Sequence, residues 1–134
     1  TFTLADAGWL AGLIDGEGTV SLVRGQSGPI LRITIYSSDE SILTKAKRIL
    51  TDLDVTFTER WDRRHERPNC HIVLTTSGVR AIAPRIRPHM VRHVARLDAA
   101  LAFLEPAYKG RSRVHWTPAQ RAEWEALRSR FNAA

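Results

Sequence analysis

The chain has a single cysteine, Cys70, in 134 residues. That excludes an internal disulfide and a structural zinc site built on paired cysteines. It fits a reducing compartment, so an intracellular setting is expected: cytoplasm, nucleoid or organelle. No apolar run approaches the roughly 18 residues needed to cross a bilayer, no signal peptide is visible, and no membrane partner is expected. No G-x-S-x-G elbow supports Ser-His-Asp catalysis, and no G-x-x-x-x-G-K-[ST] loop cradles a nucleotide. The five histidines, His65, His71, His89, His93 and His115, lack a recognised metal-ligand spacing. Lysine is scarce too. Only Lys45, Lys47 and Lys109 are lysines among 20 basic residues, and the rest are arginine.

What is present points to one globular domain. A hydrophobic share of 43% supplies a modest core. The net charge of +6 favours a polyanionic partner. Arginine forms bidentate bonds to phosphates and guanine edges. A GC-rich genome would enrich arginine as well, but the excess of positive charge does not depend on which cation carries it.

The chain is organised around Leu10-Ala11-Gly12-Leu13-Ile14-Asp15-Gly16-Glu17-Gly18. Helix formers run from about Leu4 to Asp15. Thr3 is placed to cap them, with Asp6 where a capping box uses Glu or Gln. Leu10, Leu13 and Ile14 share one apolar face. Ala7, Gly8, Ala11 and Gly12 form a stripe of small residues. A glycine inside a helix costs about 1 kcal/mol relative to alanine, so Gly8 and Gly12 imply close approach of another helix backbone. The helix is expected to stop at Gly16 or Gly18 through the left-handed conformation that glycine tolerates. Glu17 then stands at the negative end of the helix dipole, with Asp15 adding to the charge. A divalent cation bound by hard oxygen ligands resolves this; a solvated carboxylate in a helix-to-strand turn is the alternative.

Downstream, Thr19–Arg24 alternates as a strand, and Gly25–Pro29 is a turn. Ile30–Ser37 is a second strand, with Leu31, Ile33 and Ile35 inward and Arg32, Thr34 and Tyr36 outward. Ser38 or Asp39 caps a helix to about Leu53, striped with Ile42, Leu43, Ala46, Ile49, Leu50 and Leu53. Val55–Trp61 reads as a third strand with Val55 and Phe57 inward, and Cys70–Thr75 as a fourth. In the fourth, one option buries Cys70, Ile72 and Leu74 and leaves His71, Val73 and Thr75 outside. The loop between them, Asp62–Asn69, is dense in charge. A wet face carrying Arg, Thr and Tyr, and a basic hairpin tip, suit contacts to bases and phosphates; ordinary solvated surface is the alternative for both. Ser77 caps a short helix holding Val79, Ile82, Ala83 and Ile86, with Pro84 placed to kink or end it. Pro88 begins another helix to about Glu105, with Val91, Val94, Leu97, Leu101 and Leu104 inward. A basic linker, Ala107–Trp116, leads to a capping box, Thr117-Pro118-Ala119-Gln120. The helix that follows buries Trp124, Leu127 and Phe131.

The nine-residue stretch resembles the signature of the LAGLIDADG homing endonucleases, with Gly16 and Glu17 as variants of its Ala and second Asp. The order of elements after it resembles that family as well. The resemblance implies an α+β fold: an αββαββα core with a curved four-stranded antiparallel sheet over residues 1–105. A linker and C-terminal helical extension of the same domain follow over 106–134. It implies that Glu17 and the Gly16 carbonyl hold a catalytic Mg²⁺, for which Ca²⁺ or Mn²⁺ substitutes. With one motif per chain, it implies a homodimer joined through Ala7, Gly8, Ala11 and Gly12 on a near-palindromic duplex DNA site. Hydrolysis is then an in-line attack by water without a covalent intermediate. DNA contacts are expected from Arg24, Arg32, Thr34, Tyr36, Arg60, Arg63, Arg64 and His71. Two positions depart from the family. His93 stands where a Lys is frequent, with Arg92 beside it, and Ser37 stands where Gln or Asn is frequent. Both are candidate catalytic groups and both leave room for slow or absent cleavage. A non-cleaving nucleic-acid binder of the same fold, a regulator or an RNA splicing maturase, is the second reading. An oligomeric scaffold assembled through Gly8 and Gly12 is a remote third.

Overall fold

Side-chain alternation with period two divides the sheet residues into an apolar set and a polar set, and the fold buries the first. The computed structural model describes residues 1–25, 28–64, 66, 68–103 and 117–134, without the side chains of Arg24, Phe103 and Leu127. The order is α1 (Leu4–Glu17), β1 (Gly18–Gly25), β2 (Gly28–Ser37), α2 (Glu40–Asp52), β3 (Thr58–Asp62), β4 (Asn69–Leu74) and α3 (Thr76–Ile86). A 3₁₀ turn (Arg87–His89), α4 (Val94–Phe103) and α5 (Pro118–Ala133) follow. The strands form one curved antiparallel sheet in the order β1-β2-β4-β3.

Val20, Leu22, Leu31, Ile33, Ile35, Cys70, Ile72 and Leu74 line the covered face and are all buried. Each fully buried aliphatic side chain contributes about 1.5–3 kcal/mol, so this face, not the polar one, fixes the register. Leu10 and Ile14 of α1, Ile49 and Leu50 of α2, and Ile82 and Ile86 of α3 complete the core. Burial also pushes the Cys70 thiol up, which keeps it un-ionised and unreactive. Of the two faces open to β4, the buried one is Cys70, Ile72 and Leu74.

Local chemistry explains the boundaries. Thr3 and Asp6 form a reciprocal capping box at α1, and Asp39 caps α2 by accepting from the amides of Ser41 and Ile42. Arg48 of α2 donates to both oxygens of Asp6, at 3.2 and 3.0 Å, and to Asp52 at 3.0 Å. The Arg48 guanidinium beside Asp6, opposed by partial burial, lowers that carboxyl to about 2.

Several sequence expectations are corrected. β3 begins at Thr58, not Val55; Val55 is buried and Phe57 half-buried, but both precede the strand. Thr75, not Ser77, occupies the N-cap of α3, and Pro84 sits inside its last turn. No continuous helix runs from Pro88. The chain forms a 3₁₀ turn, unwinds, and resumes helix at Val94, leaving Val91 83% exposed rather than inward. Leu97 is buried as expected, and α5 packs on α4 through buried Trp124 and Phe131. Arg96 of α4 lies 5.2 Å from the Phe131 ring. The Gln26–Ser27 turn, His65, Arg67, Leu104, Glu105, the 107–116 linker and the Leu127 side chain lie outside the described residues.

Gly18 is the sharpest correction. Its φ of −113° is ordinary extended backbone, so no left-handed cap ends α1. Glycine is needed there because a Cβ would lie 2.8 Å from the Ile14 carbonyl oxygen and 3.2 Å from that of Thr34. Gly18→Ala should therefore cost about 1–3 kcal/mol, read by chemical denaturation. Asp6 predicts an acid limb. Its carboxyl falls from 3.8 to about 2 on folding, so its stabilisation is present above the unfolded value and is lost as pH drops toward 2. Asp6→Asn should flatten the stability curve across that window.

Candidate functional site

The end of α1 gathers three of the nominated residues. Helix passes into strand with no intervening loop, so Gly16 and Glu17 occupy the last turn, where carbonyls lack intrahelical donors. Both residues are exposed, and a Cβ on Gly16 would meet nothing within 4 Å. No basic residue stands in that turn, and Glu17 has no cationic partner among the described residues.

Asp15 is ionised as well, but backbone amides engage its carboxylate. Its Oδ2 accepts the Val91 amide at 2.6 Å and its Oδ1 the His93 amide at 3.1 Å. Burial raises its pKa, but the amides of Val91, His93 and Arg92 outweigh that and hold it below the usual carboxylate value. The Asp15 carboxylate thus pins the segment before α4 onto the end of α1, which explains why Val91–His93 is not helical. His93 consequently lies beside the α1 terminus. Its side chain is buried, and its Nε2 has no hydrogen-bond partner. The Ser37 hydroxyl, at the end of β2, accepts the Asp39 amide at 3.0 Å and so helps turn the chain into α2.

The small-residue stripe divides. Ala7 and Ala11 turn into the chain's own core. Gly8 and Gly12 face outward: a Cβ on Gly8 would meet only the His89 Nδ1 at 4.0 Å, and one on Gly12 nothing within 4 Å. Leu4, on the same helix, is 77% exposed. Among the described residues nothing accounts for glycine at either position.

The open sheet face collects the other candidates. Register places Tyr36, His71 and Arg60 in one row across β2, β4 and β3, with the Tyr36 and His71 rings edge-on at 4.5 Å. A second row runs Thr19, Thr34, Val73, Thr58, and Arg32 lies opposite Ser21. The Arg32 Nε is buried with no hydrogen-bond partner. Arg63 lies 5.5 Å from the Trp61 ring, and Arg64 is bound to Asp62. Arg60, Trp61, Asp62, Arg63, Arg64 and His71 line a cleft of about 350 Å³. Arg24 pairs with Pro29 in the β1–β2 register, but its side chain lies outside the described residues. Sequence reasoning missed the anchoring role of Asp15, because its partners are backbone amides about 75 residues away, which no side-chain pattern advertises.

The donor chemistry at the α1 end fits a divalent metal. An exposed carboxylate without a counter-ion and the carbonyls of a helix terminus are hard oxygen ligands. Among the described residues no three acidic, histidine or cysteine side chains converge there, so an ion at this end would complete its shell with carbonyl, water or phosphate oxygens. No described helix is long and apolar enough to cross a membrane.

Comparison with known proteins agrees with this architecture. A family model described as a LAGLIDADG-like domain matches residues 5–86. No curated protein matches. The archaeal intron-encoded homing endonuclease I-Vdi141I, complexed with DNA, superposes with a TM-score of 0.70 at 11% identity over 96% of this chain and 83% of that one. The homing endonuclease I-CvuI, in complex with its target in the presence of 2 mM Ca, gives 0.69 at 15% identity over 97% and 82%. Meganuclease I-SmaMI, bound to uncleaveable DNA, gives 0.70 at 19% identity, with 98% of this chain covering 46% of that one. At these identities the likeness is one of fold.

The Asp15 anchor makes a prediction. Asp15→Ala leaves the Val91 and His93 amides unpaired, so stability should fall by about 1–3 kcal/mol. Hydrogen exchange at those two amides should quicken while the sheet amides stay protected.

Proposed function

Because the chain belongs to the LAGLIDADG-like family, we propose that it is a homodimeric, site-specific, metal-dependent endonuclease acting on duplex DNA. The single observation that carries this reading lies on α1: an exposed Glu17 with no counter-ion, and two outward glycines, that nothing among the described residues explains. A second copy packed through Gly8 and Gly12 would bring two Glu17 carboxylates together, one for each strand. The interface then uses the glycines, while Ala7 and Ala11 support the helix from within. The 1–105 core carries the site, and the 106–134 extension, through α5, buttresses α4.

Glu17 and the Gly16 carbonyl would hold Mg²⁺, with Ca²⁺ or Mn²⁺ as substitutes. When bound, such an ion polarises a phosphate and lowers the pKa of an attacking water. The chain's own residues supply binding and orientation. Arg32 and Arg60 have no acidic partner among the described residues, so both offer charge to a phosphate or base edge. Tyr36 and His71 present hydroxyl and imidazole groups on the same face, whereas Thr34, expected to point outward, is buried. Asp15 fixes the His93 backbone beside the terminus, and the imidazole Nε2 there is buried without a hydrogen-bond partner.

A second reading, a non-cleaving DNA binder or an RNA splicing maturase, draws on two placements. The Ser37 hydroxyl is engaged in a turn, and His93 is buried. Incubation with a library of duplex targets separates the readings. With Mg²⁺ the wild type should cut, and Glu17→Gln should lose more than about a hundredfold in rate while keeping its affinity for the duplex. Selective binding without cutting under any divalent metal supports the binder. Gly12→Leu should leave the monomer folded, since the site is open, yet abolish self-association in sedimentation and cleavage with it.

A further inference from the structure

At the end of β3 an acid stands among the arginines expected to meet DNA. Asp62 pairs with Asn69 and follows Arg60 by two, on the same sheet face as the Tyr36–His71–Arg60 row. Its carboxylate takes the side edge of the Arg64 guanidinium: Nε donates to Oδ1 at 3.0 Å and Nη2 to Oδ2 at 2.7 Å. The Arg64 amide also donates to Oδ1, at 3.1 Å. The Asp62 side chain is 18% exposed and that of Arg64 is 85% exposed. A flexible cation is thus held by its side edge against a seated carboxylate, and Arg64 lines the cleft shared with Arg60 and His71.

That arrangement is poor for phosphate and good for a base. A phosphate contact needs charge, and a neighbouring carboxylate repels the phosphate backbone while it offsets the attraction of Arg64. A guanine edge presents two acceptors, O6 and N7, in one plane, and rewards a guanidinium whose orientation is already set. We propose that Asp62 is a positioning residue that aims Arg64 at a guanine in each half-site, making this pair a determinant of sequence specificity. The inference rests on the DNA-binding reading of the sheet face. It adds a base identity and a division of labour: Arg64 touches the base, and Asp62 only orients it.

The test is selection of the full-length chain on a randomised duplex library in Ca²⁺ at fixed salt. Affinities are then measured for the selected target and its single-base variants, for wild type, Asp62→Asn, Arg64→Lys and Arg64→Ala. Wild type should prefer one G·C pair per half-site by about tenfold or more. Asp62→Asn should bring that preference within about threefold while raising affinity for unrelated duplex, because a negative charge has left the surface. Arg64→Lys keeps the charge and the Asp62 turn, and should lose the same preference with unrelated-duplex affinity intact. The proposal is overturned if Asp62→Asn and Arg64→Lys leave every base preference unchanged. It is equally overturned if Arg64→Ala weakens all duplexes alike and lowers the salt slope by about one, the mark of a phosphate contact. If wild type itself selects no sequence, the site-specific reading fails first and this inference with it.

Discussion

The functional end of the molecule depends on how closely α1 and β1 are joined. Gly18 lies so near the Ile14 and Thr34 carbonyls that no side chain fits. This contact lets helix become strand without a loop, so the direction of α1 is locked to the sheet. Asp15 locks the same corner from the other side by seizing the Val91 and His93 amides. Between these two restraints stands Glu17, exposed and uncompensated. The protein spends Asp15 on structure and leaves Glu17 at the surface.

The rest of the fold serves to present that corner and one sheet face together. Eight inward side chains seat the sheet on α1, α2 and α3. The opposite face is left with Thr, Tyr, His and Arg in cross-strand rows. Helix α1 is likewise two-sided: Leu10, Ala11 and Ile14 hold the core, while Gly8 and Gly12 look outward. Two of the described buried polar atoms have no partner, Arg32 Nε and His93 Nε2; the wet face of β2 nominates Arg32, and the family resemblance nominates His93. An unpaired buried donor or acceptor costs about 1–3 kcal/mol.

Much of this was legible in the sequence, because local signals and burial agreed. Leu31, Ile33 and Ile35 alternate cleanly, so the inward face of β2 could be assigned, and the capping boxes at Thr3 and Thr117 mark true helix starts. The order of elements also fits the family-level architecture. The failures share a cause. Val91 has helical spacing with Val94, but Asp15 withdraws two amides from any helix there. Val55 and Phe57 look strand-like, but strand pairing begins at Thr58. Gly18 was read as a matter of backbone conformation, whereas contact with distant Thr34 decides it. In each case a partner remote in sequence overrode the local pattern.

The central claim is that one chain holds half a site. Native mass measurement of the protein mixed with its selected duplex in Ca²⁺ tests it most directly. The account predicts two chains on each duplex, with complexes of one chain absent at saturation. A saturated complex of a single chain per duplex would contradict it, because one Glu17 cannot then serve both strands.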